Sequence, residues 1–502
     1  MADTKREIER KYEAPDGGLP ELTGVPGVAT VADRGITHLD ATYYDTADER
    51  LAASSVTLRR RTGGSDAGWH LKLPVGPGVR DEIRSPLTDA LPGELAALVR
   101  SRVRDGELLP LVRLRSDRDV RHLLDSEGRL LAEVSTDSVR AERLIGAGGE
   151  VRWTEIEVEL ADDGDPAFLD KVDKRLRKAG VRPSRSASKL ARALADTAPQ
   201  RRRRPTFAVK KTETAGDLVL AYVWEQRDAI VGLDPAVRQG VEDSVHSMRV
   251  ATRRLRSTFK TFRNVLDRTV TDPVADELKW LAGELGVDRD REVLTERLTD
   301  TLAEVPAGLV RGPVKERMLA WSKAEHGGAK GRLAGVLDSR RYLTLLDTLD
   351  ALIADPPLVD AAGKKPAKPV ARAVKKDFRK VTGLVGRALE LEPGTERDLA
   401  LHEARKKAKR TRYAAEAADP VLGKPARKLT ASMKDLQNLL GEHQDSVMAR
   451  QTLRELSAVA HAAGENAFTY GLLHEREEQR ALRAEAELPG LWGRIKGGAS
   501  GL

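Results

Sequence analysis

Hydrophobic and polar positions alternate with a period of two over about the first 190 residues and with a helical period beyond residue 214. Glu7, Glu9 and Lys11 fall on one face of an opening strand, because successive side chains of a strand point to opposite sides. The same alternation returns in Arg59 and Arg61, in His70 and Lys72, in Arg80, Glu82 and Arg84, and in Arg113 and Arg115. It is clearest at Glu155, Glu157 and Glu159, whose opposite face carries Ile156 and Val158. Further along, Val245, Met248, Thr252, Leu255, Phe259 and Phe262 make an apolar helical stripe. His246, Arg249, Arg253, Arg256, Lys260 and Arg263 make a basic stripe beside it. These patterns predict a multidomain α+β chain: an N-terminal antiparallel β-barrel followed by an all-α region of duplicated helical bundles.

One segment separates the two patterns. Residues 199–213 hold four consecutive arginines between Pro199 and Pro205, a run that cannot pack and reads as a solvated connector. The expected domains are residues 1–198, a basic linker at 199–213 and a helical domain at 214–496. The helical half repeats itself. Val245–Arg256 pairs with Leu401–Arg412, which aligns His246 with His402, Arg249 with Arg405, Arg254 with Arg410 and Arg256 with Arg412. Leu285-Gly286 followed by Asp290 pairs with Leu440-Gly441 followed by Asp445 at nearly the same offset. Two copies are therefore expected, at about 214–305 and 369–460, joined by a helical insert and a flexible stretch at Gly363–Pro369. The second copy carries His402, Arg405, Lys409 and Arg412 as its basic stripe.

Charge sharpens the picture. Like charges one helical turn apart cost roughly 0.2–0.5 kcal/mol per pair. Few acids lie within a turn of the first basic stripe, with Glu242 and Asp243 only at its start. A bound polyanion would remove that repulsion. Three glutamates in a row on one strand face repel likewise and want a cation. A barrel of about eight strands encloses one small ligand. Its walls here would divide into basic residues (Lys11, Arg59, Arg61, Lys72, Arg84, Arg115) and acidic ones (Glu7, Glu9, Glu155, Glu157, Glu159). The first set suits a polyphosphate and the second Mg²⁺ or Mn²⁺.

The chain has 502 residues, a formal net charge of +8 and a pI near 9.4, in keeping with a polyanionic partner. It has no cysteine, which excludes disulfides and thiolate metal sites. The sequence has no apolar run of membrane-spanning length, so no membrane partner and a cytoplasmic location are expected. Aromatic residues make up only 4% of the chain, which argues against base stacking and hence against a nucleic-acid partner. His443 beside Glu442 and Asp445, and His402 beside Glu403, raise a metal question in the helical half, but no His-x-x-x-His spacing answers it.

The first 198 residues resemble a CYTH domain of the triphosphate tunnel metalloenzyme group. The residues that carry this are Glu7-x-Glu9-x-Lys11, Tyr43-Tyr44-Asp45-Thr46-x-Asp48, Leu58-Arg59-x-Arg61, Leu71-Lys72, Arg80-x-Glu82, the acidic strand at 155–160 and Ser188-Lys189. The resemblance implies metal ligands at Glu157 and Glu159 with Glu7 or Glu9, and phosphate contacts from Lys11, Arg59, Arg61, Lys72 and Lys189. Arg84, Arg115 and Arg118 match more loosely as phosphate contacts, and Lys11 and Glu157 stand as the catalytic candidates. Residues 214–496 resemble a CHAD domain, carried by the His-x-x-Arg segments at 246–256 and 402–412 and by the Leu-Gly-x-x-x-Asp ends. That resemblance implies basic helices facing a shared groove that binds inorganic polyphosphate through His246, Arg249, Arg253, Arg256, His402, Arg405, Lys409 and Arg412. The expected function is metal-dependent hydrolysis of inorganic triphosphate or a related triphosphate, joined to polyphosphate binding, with association to polyphosphate granules as a consequence. A non-catalytic polyphosphate-binding or signalling protein, an adenylate cyclase and an organic triphosphatase on the same tunnel stand as alternatives.

Overall fold

The computed structural model describes residues 3–15, 17–146, 148–197, 212–323 and 329–498. The arginine run read as a linker lies outside the described residues. The chain divides into two compact units, Met1–Thr206 and Phe207–Leu502.

The first unit is built on strands β1 (Asp3–Glu13), β2 (Thr30–Asp45), β3 (Thr57–Thr62), β4 (Gly68–Gly76), β5 (Val79–Ser85), β6 (Leu109–Leu124), β7 (Leu130–Arg143), β8 (Glu150–Leu160) and β9 (Arg182–Pro183). They pair in the order β5-β4-β3-β2-β6-β7-β8-β1-β9, and β5 also pairs with β1. The pairing of β5 with β1 closes an antiparallel barrel of eight strands, with β9 added beside β1. Closure leaves β1 to β8 without free edges. Four helices accompany it: α1 (Arg50–Ala53), α2 (Gly93–Val103), α3 (Ala167–Lys178) and α4 (Lys189–Thr197).

The barrel is apolar outside and charged inside, as its period-two sequence dictates. Ile156 and Val158 of β8 point outward and pack with Val134 beneath Phe168, Val172 and Leu176 of α3. Leu58, Leu71 and Ile83 do the same beneath Leu95, Leu98 and Val99 of α2. Each such side chain, fully buried, contributes about 1.5–3 kcal/mol. The outer layer thus holds the unit together and leaves the interior free for charge. One end of the interior is the exception. Leu190, Ala193 and Leu194 of α4 pack there against Ala41, Leu114, Val139, Ala141 and Trp153, forming an apolar plug.

The second unit is helical: α5 (Ala215–Gln239), α6 (Ser244–Thr261), α7 (Arg268–Glu284), α8 (Val287–Ala303), α9 (Val314–Lys323), α10 (Ala329–Asp338), α11 (Arg340–Ala354), α12 (Ala367–Glu390), α13 (Thr395–Leu422), α14 (Lys424–Ala462) and α15 (Phe468–Gly498). The repeated basic segments lie on α6 and α13, and the apolar stripe of α6 (Met248, Leu255, Phe259) enters the same core as Leu401, Ala404 and Ala408 of α13. The copies differ at the Leu-Gly pair. Leu285 and Gly286 form a turn between α7 and α8, whereas α14 runs unbroken through Leu440 and Gly441. The stretch at Gly363–Pro369, expected to be flexible, is largely exposed and is tied to α5 at one point. The Ala215 amide donates to the Lys364 carbonyl at 2.9 Å, and α12 already begins at Ala367.

Candidate active site

The charged faces of the strands converge in the barrel. Eight cations (Lys11, Arg59, Arg61, Lys72, Arg80, Arg84, Arg118, Lys189) and six carboxylates (Glu7, Glu9, Asp66, Glu82, Glu157, Glu159) line one cavity. Lys189 reaches it as the first residue of the plug helix α4. The groups are closely paired. Lys72 donates to both oxygens of Glu7 at 2.7 and 2.5 Å. Lys11 lies 3.0 Å from Glu9 and also contacts Glu157. Lys189 sits between Asp137 (3.0 Å), Glu155 (2.9 Å) and Glu157 (2.5 Å). Arg118 forks across Asp137 at 2.8 and 2.9 Å and reaches Glu157 at 2.7 Å. Glu82, buried, accepts from Arg84 at 2.7 Å and hydrogen-bonds His70 at 3.0 Å. These ion pairs close in on a space of about 70 Å³, room for a handful of waters. An anionic ligand of any size would have to replace some of them.

Burial and pairing together set the ionisation of these groups. Glu157 is held well below the usual carboxylate range, because Lys11, Lys189 and Arg118 outweigh its burial. Glu82 is pulled down in the same way: burial opposes, and His70, Lys72 and Arg59 prevail. Burial pushes the His70 imidazole down to about 4, so it is neutral at pH 7. Two groups go against the pattern. Burial and the neighbouring Glu7 carboxylate hold Glu159 above the usual range, despite Lys5. Burial together with Arg59 and Arg118 pulls Arg61 down to about 9, although its guanidinium pairs with Asp66.

Glu7, Glu9 and Glu159 offer only carboxylate oxygens, the donors that Mg²⁺ and Mn²⁺ take, so the donor set fits the implied ion. Each is now turned to a lysine: Glu7 to Lys72, Glu9 to Lys11 and Glu159 to Lys5. Metal binding therefore competes with these ion pairs.

A second charged site spans α6 and α13. Lys409 is pulled down to about 7, first by burial and then by Arg405, Arg253, Arg412 and Arg249. The basic stripes of both copies thus meet around one ammonium. The Nε atoms of Arg256 and Arg405 are buried without a hydrogen-bond partner. Each copy seats its arginine on its own glycine. A Cβ on Gly286 would lie 2.5 Å from the Arg249 guanidinium, and one on Gly441 would lie 3.5 Å from that of Arg405. The approach is close at Gly286 only, since 3.5 Å at Gly441 is ordinary van der Waals contact. The aligned pair Arg254 and Arg410 is neutralised: Arg254 pairs with Glu416 at 3.0 Å, and Arg410 pairs with Asp377 of α12.

Residues 5–194 match the CYTH domain family, and residues 221–454 match the CHAD domain family. The chain is also 38% identical over 498 residues to the uncharacterized proteins MT2285 and Rv2226 of Mycobacterium tuberculosis (strains CDC 1551 / Oshkosh and ATCC 25618 / H37Rv), covering 96% of this chain and 94% of each relative. This chain is a CYTH–CHAD protein. Solved structures resemble its parts. PptA from Streptomyces chartreusis is 20% identical with a TM-score of 0.48, over 56% of this chain and 99% of that one. The CHAD domain from the plant Ricinus communis is 24% identical with a TM-score of 0.46, over 57% of this chain and 92% of that one. HpAC1 from Hippeastrum, named as an adenylyl cyclase with a dominant triphosphatase activity, is 18% identical with a TM-score of 0.24, over 38% of this chain and 96% of that one.

Within the CYTH unit, Glu7, Glu9, Lys11, Arg59, Arg61, Lys72, Arg84, Arg118, Glu157, Glu159 and Lys189 line the cavity. Arg115 does not: it lies outside, 3.6 Å from Asp40 and half exposed. Arg115 and Arg118 are three residues apart on one strand and cannot share a face. Glu155, expected on the acidic wall, pairs with Lys189, whereas sequence reasoning gave Glu82, Asp137, Asp66 and Tyr43 no part in the site. Glu82 lay on an alternating strand and was open to the same logic, whereas Asp66 sits in a loop that has no period to betray it. Tyr43 accepts from Arg59 at 3.2 Å in the cavity wall. Asp45, from the same Tyr-Tyr-Asp segment, is structural: its carboxylate caps α1 by accepting from the amides of Leu51 and Ala52, both at 2.8 Å.

Within the CHAD unit, Arg249, Arg253, Arg405, Lys409 and Arg412 act on one another. His246 is exposed at the start of α6, and the Nδ1 of His402 turns to Gln444 at 2.7 Å. The side chains of Asp288 and Asp290 lie outside the described residues. His443 joins neither Glu442 nor Asp445 but Asp398 and Glu485. Among the described residues no helix is long and apolar enough to cross a membrane.

Proposed function

We propose that the CYTH unit hydrolyses inorganic triphosphate, or a related triphosphate, to diphosphate and orthophosphate with Mg²⁺ or Mn²⁺, and that the CHAD unit binds polyphosphate. One observation carries the enzymatic reading. Within a single cavity of the barrel a group of cations that includes Arg59, Arg61 and Arg118 stands beside a group of carboxylates that includes Glu7, Glu9 and Glu159. A triphosphate answers the first and a divalent ion the second.

In this reading Arg59, Arg61 and Arg118 take phosphate oxygens and fix the chain in line. Lys72 and Lys11 exchange their carboxylates for phosphate oxygens, which frees Glu7 and Glu9 for the metal. The ion, when bound, polarises the terminal phosphoryl group and makes the attacking water more acidic. Lys11 offsets the charge that builds on the leaving oxygen. The part of Glu157 is to anchor Lys189 and Arg118 and to help hold the ion. The α4 plug keeps water from the far end of the cavity.

The test is a panel of inorganic triphosphate, thiamine triphosphate and nucleoside triphosphates with Mg²⁺ or Mn²⁺, read as released orthophosphate. Release from at least one substrate, abolished by chelator, is expected. No release from any of them would leave the barrel a binding module.

The CHAD reading makes a pH prediction. Polyphosphate neutralises the arginines around Lys409 and raises the ammonium pKa from about 7 toward its ordinary range. Binding then takes up a proton above pH 7. Affinity should be highest and flat below about pH 6.5, and should fall as pH rises through 7 to 9. Calorimetry in buffers of different ionisation enthalpy reads the proton uptake directly. Lys409→Met should flatten the profile, and an unchanged profile would remove Lys409 from the site.

A further inference from the structure

We propose that the helical unit carries a divalent-metal site of its own, formed by Asp398 of α13, His443 of α14 and Glu485 of α15. The Nε2 of His443 lies 3.3 Å from Asp398 Oδ1 and 3.1 Å from Glu485 Oε1. One donor atom from each of the three lies within 4.8 Å of the others, which happens nowhere else among the described residues. Ligands bound about 2.0–2.2 Å from one ion stand about 3.0–3.5 Å apart, so the three donors can close on one ion with little movement, although the same separations also suit hydrogen bonds.

Two further features favour a cation. Nε2 can carry one proton, so it can donate in line to one of the two carboxylates only. Among the described residues His443 is the sole side chain paired with Asp398, while Glu485 also has Arg397 at 3.2 Å. An ion satisfies both carboxylates at once. His443 is also 1% exposed, so water does not reach it as a substitute partner. Two carboxylates and an imidazole make a mixed oxygen and nitrogen donor set, which suits Zn²⁺ or Mn²⁺ and leaves coordination positions open toward the partly exposed Asp398.

The site stands at the end of the basic stripe. Asp398, His402, Arg405 and Lys409 follow at steps of four, three and four along α13, so they share a face. Gln444, next to His443, is the residue that holds His402. An ion here pins the start of α13 to α14 and α15 and sets the turn from which Arg405 and Lys409 project. The first copy has Asp288 where the second has His443, so a single site per chain is expected.

The test uses the full chain, stripped of metal, in phosphate-free buffer. Zn²⁺ is titrated calorimetrically into the parent, Asp398→Asn and His443→Ala, and unfolding temperatures are recorded with and without Zn²⁺. Any metal held in the barrel is common to all three and cancels. Both variants should lose one equivalent of Zn²⁺ or bind it about tenfold or more weakly, and should lose the parent's Zn²⁺-dependent rise in unfolding temperature. Asp398→Asn keeps the size of a partly exposed side chain, so the comparison survives if His443→Ala does not fold. Equal stoichiometry and affinity in the parent and Asp398→Asn overturn the proposal and leave His443 as an ion-pair partner only.

Discussion

Glu157→Gln should reduce triphosphate hydrolysis at least about a hundredfold, the scale of losing one preorganised electrostatic contact in a closed site. The carboxylate meets Lys11, Lys189 and Arg118 together. An amide cannot balance three cations, and one of its two ends presents N–H groups to them. The cations then repel one another, and the ion loses a ligand. The same change leaves buried charges without a partner, at a cost of about 3–5 kcal/mol when such a pair is broken. The variant must therefore be checked by thermal unfolding beside the turnover assay. Lys72→Ala is the companion. It removes the partner of Glu7 at the side of the cavity away from the plug and should also abolish turnover. Near-parent turnover with Mg²⁺ in a folded Glu157→Gln or Lys72→Ala chain would reject the assignment.

The second large effect is expected in the helical unit. Arg253→Glu combined with Lys409→Glu should weaken polyphosphate binding by about a hundredfold or more, since placing like charges against a bound polyanion costs several kcal/mol. Both residues belong to the group that surrounds the Lys409 ammonium, so the reversal changes the centre of the groove rather than its rim. The dependence of affinity on salt should also become shallower, because fewer counterions are released from the polyanion. Lys406→Gln is the matched control. That lysine is exposed and paired with Glu403 at 2.5 Å, so its loss should leave affinity almost unchanged. Titration of a labelled polyphosphate at two salt concentrations separates these outcomes, and parent-like affinity in the double variant would exclude the groove.

The barrel was readable because an enclosed charged interior imposes a strict period of two, and Glu7, Glu9, Lys11, Glu157 and Glu159 obey it. The rule that the charged face is the inner face fails at one end. There the interior is apolar beneath α4, so the alternating Arg113 and Arg115 are on the outside, and Leu114 faces in. The plug itself is nine residues with three buried apolar side chains, too short to announce a role from sequence. The pairing of the two basic stripes was readable through the repeat, and residues of both stripes surround Lys409. The seat of each arginine on a glycine appears only when α6 meets the turn before α8, and α13 meets α14. Asp398, His443 and Glu485 are far apart in the sequence, and no local spacing could have joined them.

The central claim is that opposed charges enclosed in one barrel hold a triphosphate and a metal for in-line hydrolysis. Phosphorus-31 NMR of inorganic triphosphate incubated with the purified chain and Mg²⁺ tests it most directly, with ATP in a parallel tube. The account predicts that triphosphate signals give way to equal amounts of diphosphate and orthophosphate, and that chelator stops the change. Unreacted triphosphate with both Mg²⁺ and Mn²⁺, or cyclic AMP with diphosphate as the only product from ATP, would contradict it.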